Sequence, residues 1–410
     1  MFRLSRAALI VAACLPSAAF AAPLTLQDAI SRTLGAAPQA ASAAARNDAL
    51  VAARAAADTR PSASIDALAE NLGVGGKDLN DQIQVGAVYS QRIERGGKRA
   101  ARVALADGEI RVARAEAVVQ RLEIAATVQR LFVEVEAAQV ALGNARERVA
   151  IAEALAREVG RRVSAARDPL FAGTRAQTQL AEAKVDLELA IHAHDAALTR
   201  LIALWGGTPN GLQVATDNFL RFDRPVTEPR PSAPDLAVYE ARAARADAAI
   251  TLERARAVQD PTVSAGPRYL PGTGDVALVA GFSLPLGNRA LNRANVARVE
   301  AERRQADADM AVERFERTRA IALAAEKVEE SRHEAEAIRD RVIPGAERTL
   351  AEVRAGYARG GFSFLDVSAA QSALAAARSR LVQAATRYHE AGVELDRLTG
   401  RFADTVQETR

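Results

Sequence analysis

The chain has 410 residues, of which 49% are hydrophobic, only 4% aromatic and 26% charged, with both signs interspersed. That length predicts two or three domains, but an apolar fraction rich in Ala makes a thin core, suited to close helix-to-helix packing with one packed stripe and one wet face. The formal charge of +3 includes Arg3 and Arg6 of a segment that reads as cleaved. Without them the balance is about +1, which excludes a basic nucleic-acid footprint.

Met1 to Arg6 is a basic start, Ala7 to Leu15 an apolar stretch, and Ala19-Phe20-Ala21 a small-x-small cleavage site, so residues 1–21 read as a signal peptide. A second cleavage is open: Val11-Ala12-Ala13-Cys14 resembles a lipoprotein box, which would leave Cys14 lipidated. Cys14 is the only cysteine, so disulfides and Cys-metal sites are excluded. No later stretch suits a transmembrane helix, and a membrane crossing by this chain would have to use strands.

Leu24 to Ile30 opens a helix with Thr25 as N-cap and Asp28 in its first turn. Pro38 interrupts, and a second helix runs from Gln39 to Asp58, stopped by Pro61. The period then drops to two. Ala63, Ile65, Ala67 and Ala69 alternate with Ser and acidic positions, and Ile83, Val85, Ala87 and Tyr89 alternate with Gln82, Gln84 and Ser90, around a wet tip at Gly73–Asp78. This is a hairpin with one apolar face and one small, polar face, as barrel strands between lipid and water require.

From Lys98 to Arg167 there is no Pro. Val128, Leu131, Val135, Ala138, Leu142, Ala145, Val149, Ala152, Ala156, Val159 and Val163 form an unbroken heptad seam. At 1.5 Å per residue the helix is roughly 100 Å long. A turn at Arg167-Asp168-Pro169 leads into a return helix from Leu170 to Leu204, and residues 206 to 233 are loop-like, with Pro209, Pro225, Pro229 and Pro231.

The unit then repeats. A helix ends at Asp260-Pro261, strands Thr262–Leu270 and Val276–Leu286 flank Pro271–Asp275, a long helix runs from Arg289 to Ala358 through Pro344, and Arg359-Gly360-Gly361-Phe362-Ser363 turns into a helix from Phe364 to Thr399. The pairs Ala176-Gln177 and Ala370-Gln371 occupy matching places. The domain reading is a first repeat at 22–215, a connecting segment at 216–233, a second repeat at 234–400 and a tail at 401–410. Four strands cannot close a barrel, so closure needs copies; three give twelve strands and a pseudo-sixfold ring of helices, and strand count alone does not separate three copies from four.

Four stretches carry a family resemblance: Leu24–Ile30 with Pro38; Ser90-Gln91-Arg92-Ile93-Glu94-Arg95-Gly96-Gly97-Lys98-Arg99; Ser283-Leu284-Pro285-Leu286-Gly287-Asn288-Arg289; and Tyr357–Val367. Over its mature length the chain resembles the TolC-type outer-membrane efflux proteins, and Gln91 to Arg99 resembles their heavy-metal-efflux branch. The resemblance implies a mainly α fold with β strands, a homotrimer with a twelve-stranded barrel in the outer membrane of a Gram-negative bacterium, and a helical tunnel across the periplasm. It implies the exit duct of a tripartite system, with a periplasmic adaptor (membrane fusion) protein and an inner-membrane RND pump as partners. A multidrug or type I secretion channel is the alternative within the family, and a periplasmic coiled-coil adaptor the alternative outside it.

Within that resemblance the two helical turns form a gated mouth. Tyr357 matches a tyrosine of the family's closing network, and Asp366 an aspartate of its constriction ring; Phe362 stands where the network has an arginine, and Ala369 where the ring has a second aspartate. Arg359, Arg167 and Asp168 are then the candidates to complete the gate. Arg167, Asp168, Pro169, Gly360, Gly361, Phe362 and Ser363 are the adaptor-contacting tips. Gly96-Gly97-Lys98 is no phosphate loop, because Arg92 and Arg99 occupy the positions that need Gly and Ser or Thr. His192 and His194 point to different helix faces, His333 and His389 lack a His partner at ligand spacing, and no nucleophile-base set stands at recognisable spacing. No catalytic, cofactor or metal site is expected.

Overall fold

The computed structural model of the chain describes residues 23–72, 83–208, 212–224 and 230–408. The segment read as a signal peptide, with Cys14, the hairpin tip at 73–78, Pro209, Pro225 and Pro229, and the last two residues of the tail lie outside the described residues.

Helix α1 (Leu26–Ala36) starts as a capped helix should. The Thr25 hydroxyl accepts the Asp28 N–H at 3.2 Å and donates to the Asp28 carboxylate at 2.7 Å. Helix α2 (Pro38–Ala57) uses Pro38 in its first turn, where a missing N–H costs nothing. Strands β1 (Ser64–Glu70) and β2 (Gln84–Arg92) follow, then α3 (Lys98–Ser164) and its return helix α4 (Leu170–Ala203). The second half repeats the order: α5 (Ala233–Arg256), β3 (Thr262–Leu270), β4 (Asp275–Ser283), α6 (Arg289–Ala337), a π-turn (Ile338–Val342), α7 (Ile343–Ala358) and α8 (Phe364–Thr399). A short α9 (Ala403–Glu408) ends the described chain.

The strands form one antiparallel sheet in the order β1-β2-β3-β4. Its register sorts the side chains. Ile65 faces Tyr89, Val85 faces Tyr269, Val263 faces Phe282, and Tyr269 faces Val276. Because side chains alternate along each strand, these residues and Leu278 share one face with Ala67, Ala69, Ala87, Ala265 and Ala280. Ile65, Phe282 and Leu278 are 76%, 68% and 80% exposed, so that face is bare in a single chain. The opposite face carries Ser64, Asp66, Glu70, Gln84, Ser90, Ser264 and Arg268, with Leu68, Val88, Leu270, Ala277 and Val279 among its apolar members.

Each strand pair passes to its helix through a tight joint. Gly96 and Gly97 both take left-handed φ values, 72° and 71°, which favour glycine. Lys98 Nζ then pairs with Asp260 at 2.6 Å and bonds the Val258 carbonyl, while Arg102 pairs with Glu94 and bonds the Thr59 carbonyl. Lys98 thus ties the foot of the first repeat to the second, and Arg102 ties the start of α3 to the end of α2.

All eleven seam residues of α3 are buried or half-buried. Their neighbours are largely in the same chain: Val128 and Val135 pack with Ala197, Leu198 and Leu201, and Ala156 and Val159 with Ala172 and Ala176. Small residues on α4 let the two helices approach closely. The segment after α4 is less loop-like than its Pro content predicts, since Phe219 and Phe222 are buried against Tyr388. The tail is also anchored: Val406 sits in the core with Leu122 and Ala125, and Arg121 donates to its carbonyl at 3.2 Å.

Charge is buried at mid-height in two ways. Arg397 on α8 is held by Asp235 at 2.8 and 3.0 Å and by Glu123 at 2.7 Å, and its neighbour Asp396 pairs with Arg224 and accepts from Gln129 at 3.1 Å. Each buried charge there has a counter-charge, as low dielectric demands. Glu136 on α3 is buried with no ion pair among the described residues, and burial pushes its carboxyl up to about 7. An unfolded Glu ionises near its ordinary value of 4.5, so the folded chain binds the extra proton between those values, and stability falls as pH rises through that window. Glu136→Gln is expected to match wild type in thermal melts at pH 4.5 and to exceed it at pH 8 by on the order of 3 kcal/mol. Equal melts at both values would show that the carboxyl is solvated.

Candidate functional site at the helical tips

The far end of the helices, opposite the sheet, brings the α3–α4 turn beside the α7–α8 turn. Asp168 is placed there by Pro169, which caps the start of α4 with extended backbone. Tyr357 comes from the last turn of α7 and is 4% exposed. Its hydroxyl donates to the Asp168 carboxylate. Arg162, one turn before the end of α3, completes the arrangement. Its Nε and Nη2 reach the two Asp168 oxygens at 3.0 and 3.3 Å, its Nη1 reaches the Tyr357 carbonyl at 3.1 Å, and its guanidinium carbon lies 4.3 Å from the Tyr357 ring centroid.

The electrostatics follow from that geometry. Burial opposes the Asp168 charge, but the hydrogen bonds from Arg162 and Tyr357 and the Arg162 charge outweigh it and hold the carboxyl below the usual carboxylate range. Burial, then the bond to the Asp168 carboxylate, pushes the Tyr357 phenol up. At neutral pH the site is an anion, a cation and a neutral phenol with its proton on the donor side.

An apolar plug of Leu155, Ala156, Val159, Ala172, Ala176, Phe364 and Val367 packs against Tyr357. Phe362 does not enter the polar cluster. Its ring lies over the bare face of Gly356, where a Cβ would collide with it. Gly360 takes a φ of 84°, and its turn closes through Gly360 N–H to Tyr357 O at 3.0 Å. Arg167 and Arg359 are exposed and form no ion pair among the described residues. Asp366 stands in the first turn of α8, where it accepts from the Ser363 N–H at 2.8 Å and the Ser363 hydroxyl at 2.7 Å. Those bonds hold its carboxyl below the usual range and make a capping box with Ser363.

Of the sequence candidates, the structure thus joins Tyr357 to Asp168, leaves Arg167 and Arg359 in solvent, and gives Asp366 a local partner. Arg162 was missed. Its signal was available, because it lies six residues before Asp168 across a tight turn, but Arg161 and Arg167 share that neighbourhood and only the helix phase separates them. Leu170 and Phe171 at the start of α4 are 80% and 68% exposed, and Leu365 and Phe362 are half-exposed, so the tip also has an apolar rim. Among the described residues no group of three His, Cys, Asp or Glu side chains is placed to hold a metal ion, and no helix is long and apolar enough to cross a membrane.

Residues 228–401 match the family model described as outer membrane efflux protein. The chain is 28% identical over 389 residues to the cobalt-zinc-cadmium resistance protein CzcC of Cupriavidus metallidurans, covering 93% of this chain and 91% of that protein. It is 30% identical over 246 residues to the nickel and cobalt resistance protein CnrC of the same organism, covering 57% of each. In three dimensions it resembles CusC, whose crystal structures concern folding and transmembrane channel formation, with a TM-score of 0.72 at 16% identity over 91% of this chain and 92% of that one.

The Arg162 fork holds the α3–α4 turn by charge-assisted bonds, which are among the stronger ones. Arg162→Gln is expected to speed amide hydrogen exchange of the 165–169 turn by about tenfold to a hundredfold, with exchange near Tyr388 unchanged. Unaltered exchange in the turn would mean that the apolar plug alone orders it.

Proposed function

We propose that the chain belongs to the outer membrane efflux protein family and that three copies of it form the exit duct of a tripartite pump for heavy-metal cations. The observation that carries the duct reading is the sheet. It has one apolar face, one polar face and two unpaired edges, β1 and β4, which lipid does not tolerate. Joining β4 of one copy to β1 of the next satisfies both edges, and a third copy closes twelve strands around a wet lumen. The helices, roughly 100 Å long, then continue the bore through the periplasm. A periplasmic adaptor with a similar helical hairpin would have no use for such a sheet.

The cargo follows from the relatives. CzcC and CnrC carry metal resistance in their names, and the first of them aligns with nearly the whole chain. This chain needs no tight metal site for that role, because an exit duct passes what an inner-membrane pump of the RND class selects. In the trimer Asp366 contributes three carboxylates to the narrow end, which favours cations in transit. Tyr357, Asp168 and Arg162 keep the mouth shut, with Arg359 at its rim. The apolar rim of Leu170, Phe171, Phe362 and Leu365, with Arg167, Pro169, Gly360, Gly361 and Ser363 beside it, is the surface offered to a periplasmic adaptor.

In a Gram-negative host that carries the cognate pump and adaptor, deletion of this gene is expected to lower tolerance to cobalt, zinc or cadmium by several-fold, and the wild-type gene to restore it. Phe171→Asp should fail to restore tolerance while still giving heat-resistant trimers in outer-membrane extracts. Recovery of the protein in the soluble periplasm would sink the duct reading. Unchanged metal tolerance with new sensitivity to dyes or detergents would transfer the chain to the multidrug class.

A further inference from the structure

The two strand-to-helix joints correspond residue by residue, but their charges do not. Ser90 pairs with Ser64 and Gly281 with Ser264, so the hairpin registers place Ser90 and Gly281 at equivalent positions. The same offset superposes Gly97 and Asn288, the residues that cap α3 and α6. Lys98, Arg99 and Arg102 then correspond to Arg289, Ala290 and Arg293, and Glu94 corresponds to Pro285. Across the joint, Asp260-Pro261 corresponds to Arg60-Pro61.

The first joint lies inside the chain, where β2 meets β3, and its charges balance. Lys98 pairs with Asp260 at 2.6 Å, Arg99 with Asp58 at 2.7 Å, and Arg102 with Glu94. The second joint lies at the β4 edge, and there two of the bases stand without their acids. Arg289 and Arg293 are exposed and form no ion pair among the described residues. In the ring, β4 lies against β1 of the next copy as β2 lies against β3. Arg289 then comes to the foot of β1, where Arg60 stands in place of the acid. Arg60 is likewise exposed and without an ion pair among the described residues. Asp58 beside it is already held by Arg99. Each boundary between copies thus gathers three guanidiniums with no carboxylate to spare, an arrangement that repels itself unless an anion sits between them.

The level of the site indicates which anion. It is where the apolar face of the sheet ends. Leu284 follows Leu278, Ala280 and Phe282 in the same alternation and is exposed, as is Leu291, and Leu286 is 95% exposed. Guanidiniums grip phosphate oxygens through a fork, and exposed leucines beside them suit acyl chains. We propose that each boundary holds the phosphate headgroup of an anionic phospholipid between Arg289 and Arg293 of one copy and Arg60 of the next. The site rests on the duct reading, because only a ring of copies supplies the boundary.

Native mass spectrometry of trimers purified in a neutral detergent tests it, with dioleoyl phosphatidylglycerol as probe and dioleoyl phosphatidylcholine as control. Wild-type trimers are expected to retain up to three phosphatidylglycerols and to prefer them about tenfold. Arg289→Gln/Arg293→Gln should lower that retention by about thirtyfold, whereas Arg148→Gln, a charge change far down α3, should leave it within about twofold. Arg60→Asp puts at the boundary the acid that the internal joint has in Asp260, and is expected to abolish retention while the trimers stay heat-resistant. A large excess of inorganic phosphate should not displace the lipid, because it brings no chains to the leucines. Equal retention of both lipids, retention that survives Arg60→Asp, or displacement by phosphate overturns the lipid site, and the trimers leave the duct reading standing. Monomers in wild type and variants alike overturn the duct reading and remove the boundary with it.

Discussion

Backbone hydrogen bonding at the two edges of a four-stranded sheet is the constraint from which the rest of this molecule follows. A strand edge in lipid leaves each N–H and C=O without a partner, and water is absent to substitute. The sheet's apolar face, lined by Ile65, Tyr89, Tyr269, Val276, Leu278 and Phe282, makes water an equally poor surrounding for it. Copies of the chain meet both demands together. In the proposed ring of a few copies the helices are staves of one tube. It also explains why the Gly96-Gly97 joint and its Lys98–Asp260 and Arg102–Glu94 pairs are so tightly specified, since the direction of each stave is set there.

The same chain handles packing differently along its length. Near mid-height the interior is dense, with Phe219, Phe222, Tyr388 and the paired charges of Asp396 and Arg397 locking both repeats together. Toward the tips a cavity opens between the two helical hairpins, which are joined there by discrete polar links and, at the very end, by the apolar plug around Tyr357. Packing is thus dense near mid-height and thinner toward the tips, where the mouth of the proposed duct would have to change its width. A buried ion pair is weak evidence for stability, but several converging on adjacent α8 residues specify one register of that helix against α3 and α5.

The tip shows how one electrostatic task can be met by another residue. The family pattern has an arginine where this chain has Phe362, and the guanidinium arrives instead from Arg162 on the opposite hairpin. Asp168 keeps a bidentate partner either way, because an ionised carboxylate that is largely shielded from water needs one. Phe362, released from that role, covers Gly356 and adds to the apolar rim.

Several features were legible in the amino-acid sequence because they depend on local pattern. The change of period from 3.6 to 2 at Pro61, the heptad seam of α3, the Thr25 cap and the second copy of the whole unit follow from side-chain spacing alone. Together with the motifs around Gly96 and Gly360 they point to the TolC-like fold that the comparison with CusC supports. Three things were decided only in the folded chain. The register across β2 and β3 puts Ile65, Val85, Tyr89, Val263, Tyr269, Val276, Leu278 and Phe282 on one face, and it joins segments nearly two hundred positions apart. The choice of Arg162 over Arg161 or Arg167 depends on helix phase at a turn that ends α3 three residues earlier than its pattern suggests. The π-turn at Ile338 arises because one missing N–H at Pro344 is accommodated by neighbours that the local sequence does not contain. Spacing reveals which faces a chain wishes to bury; which partner meets each face, and at what phase, is settled by long-range packing.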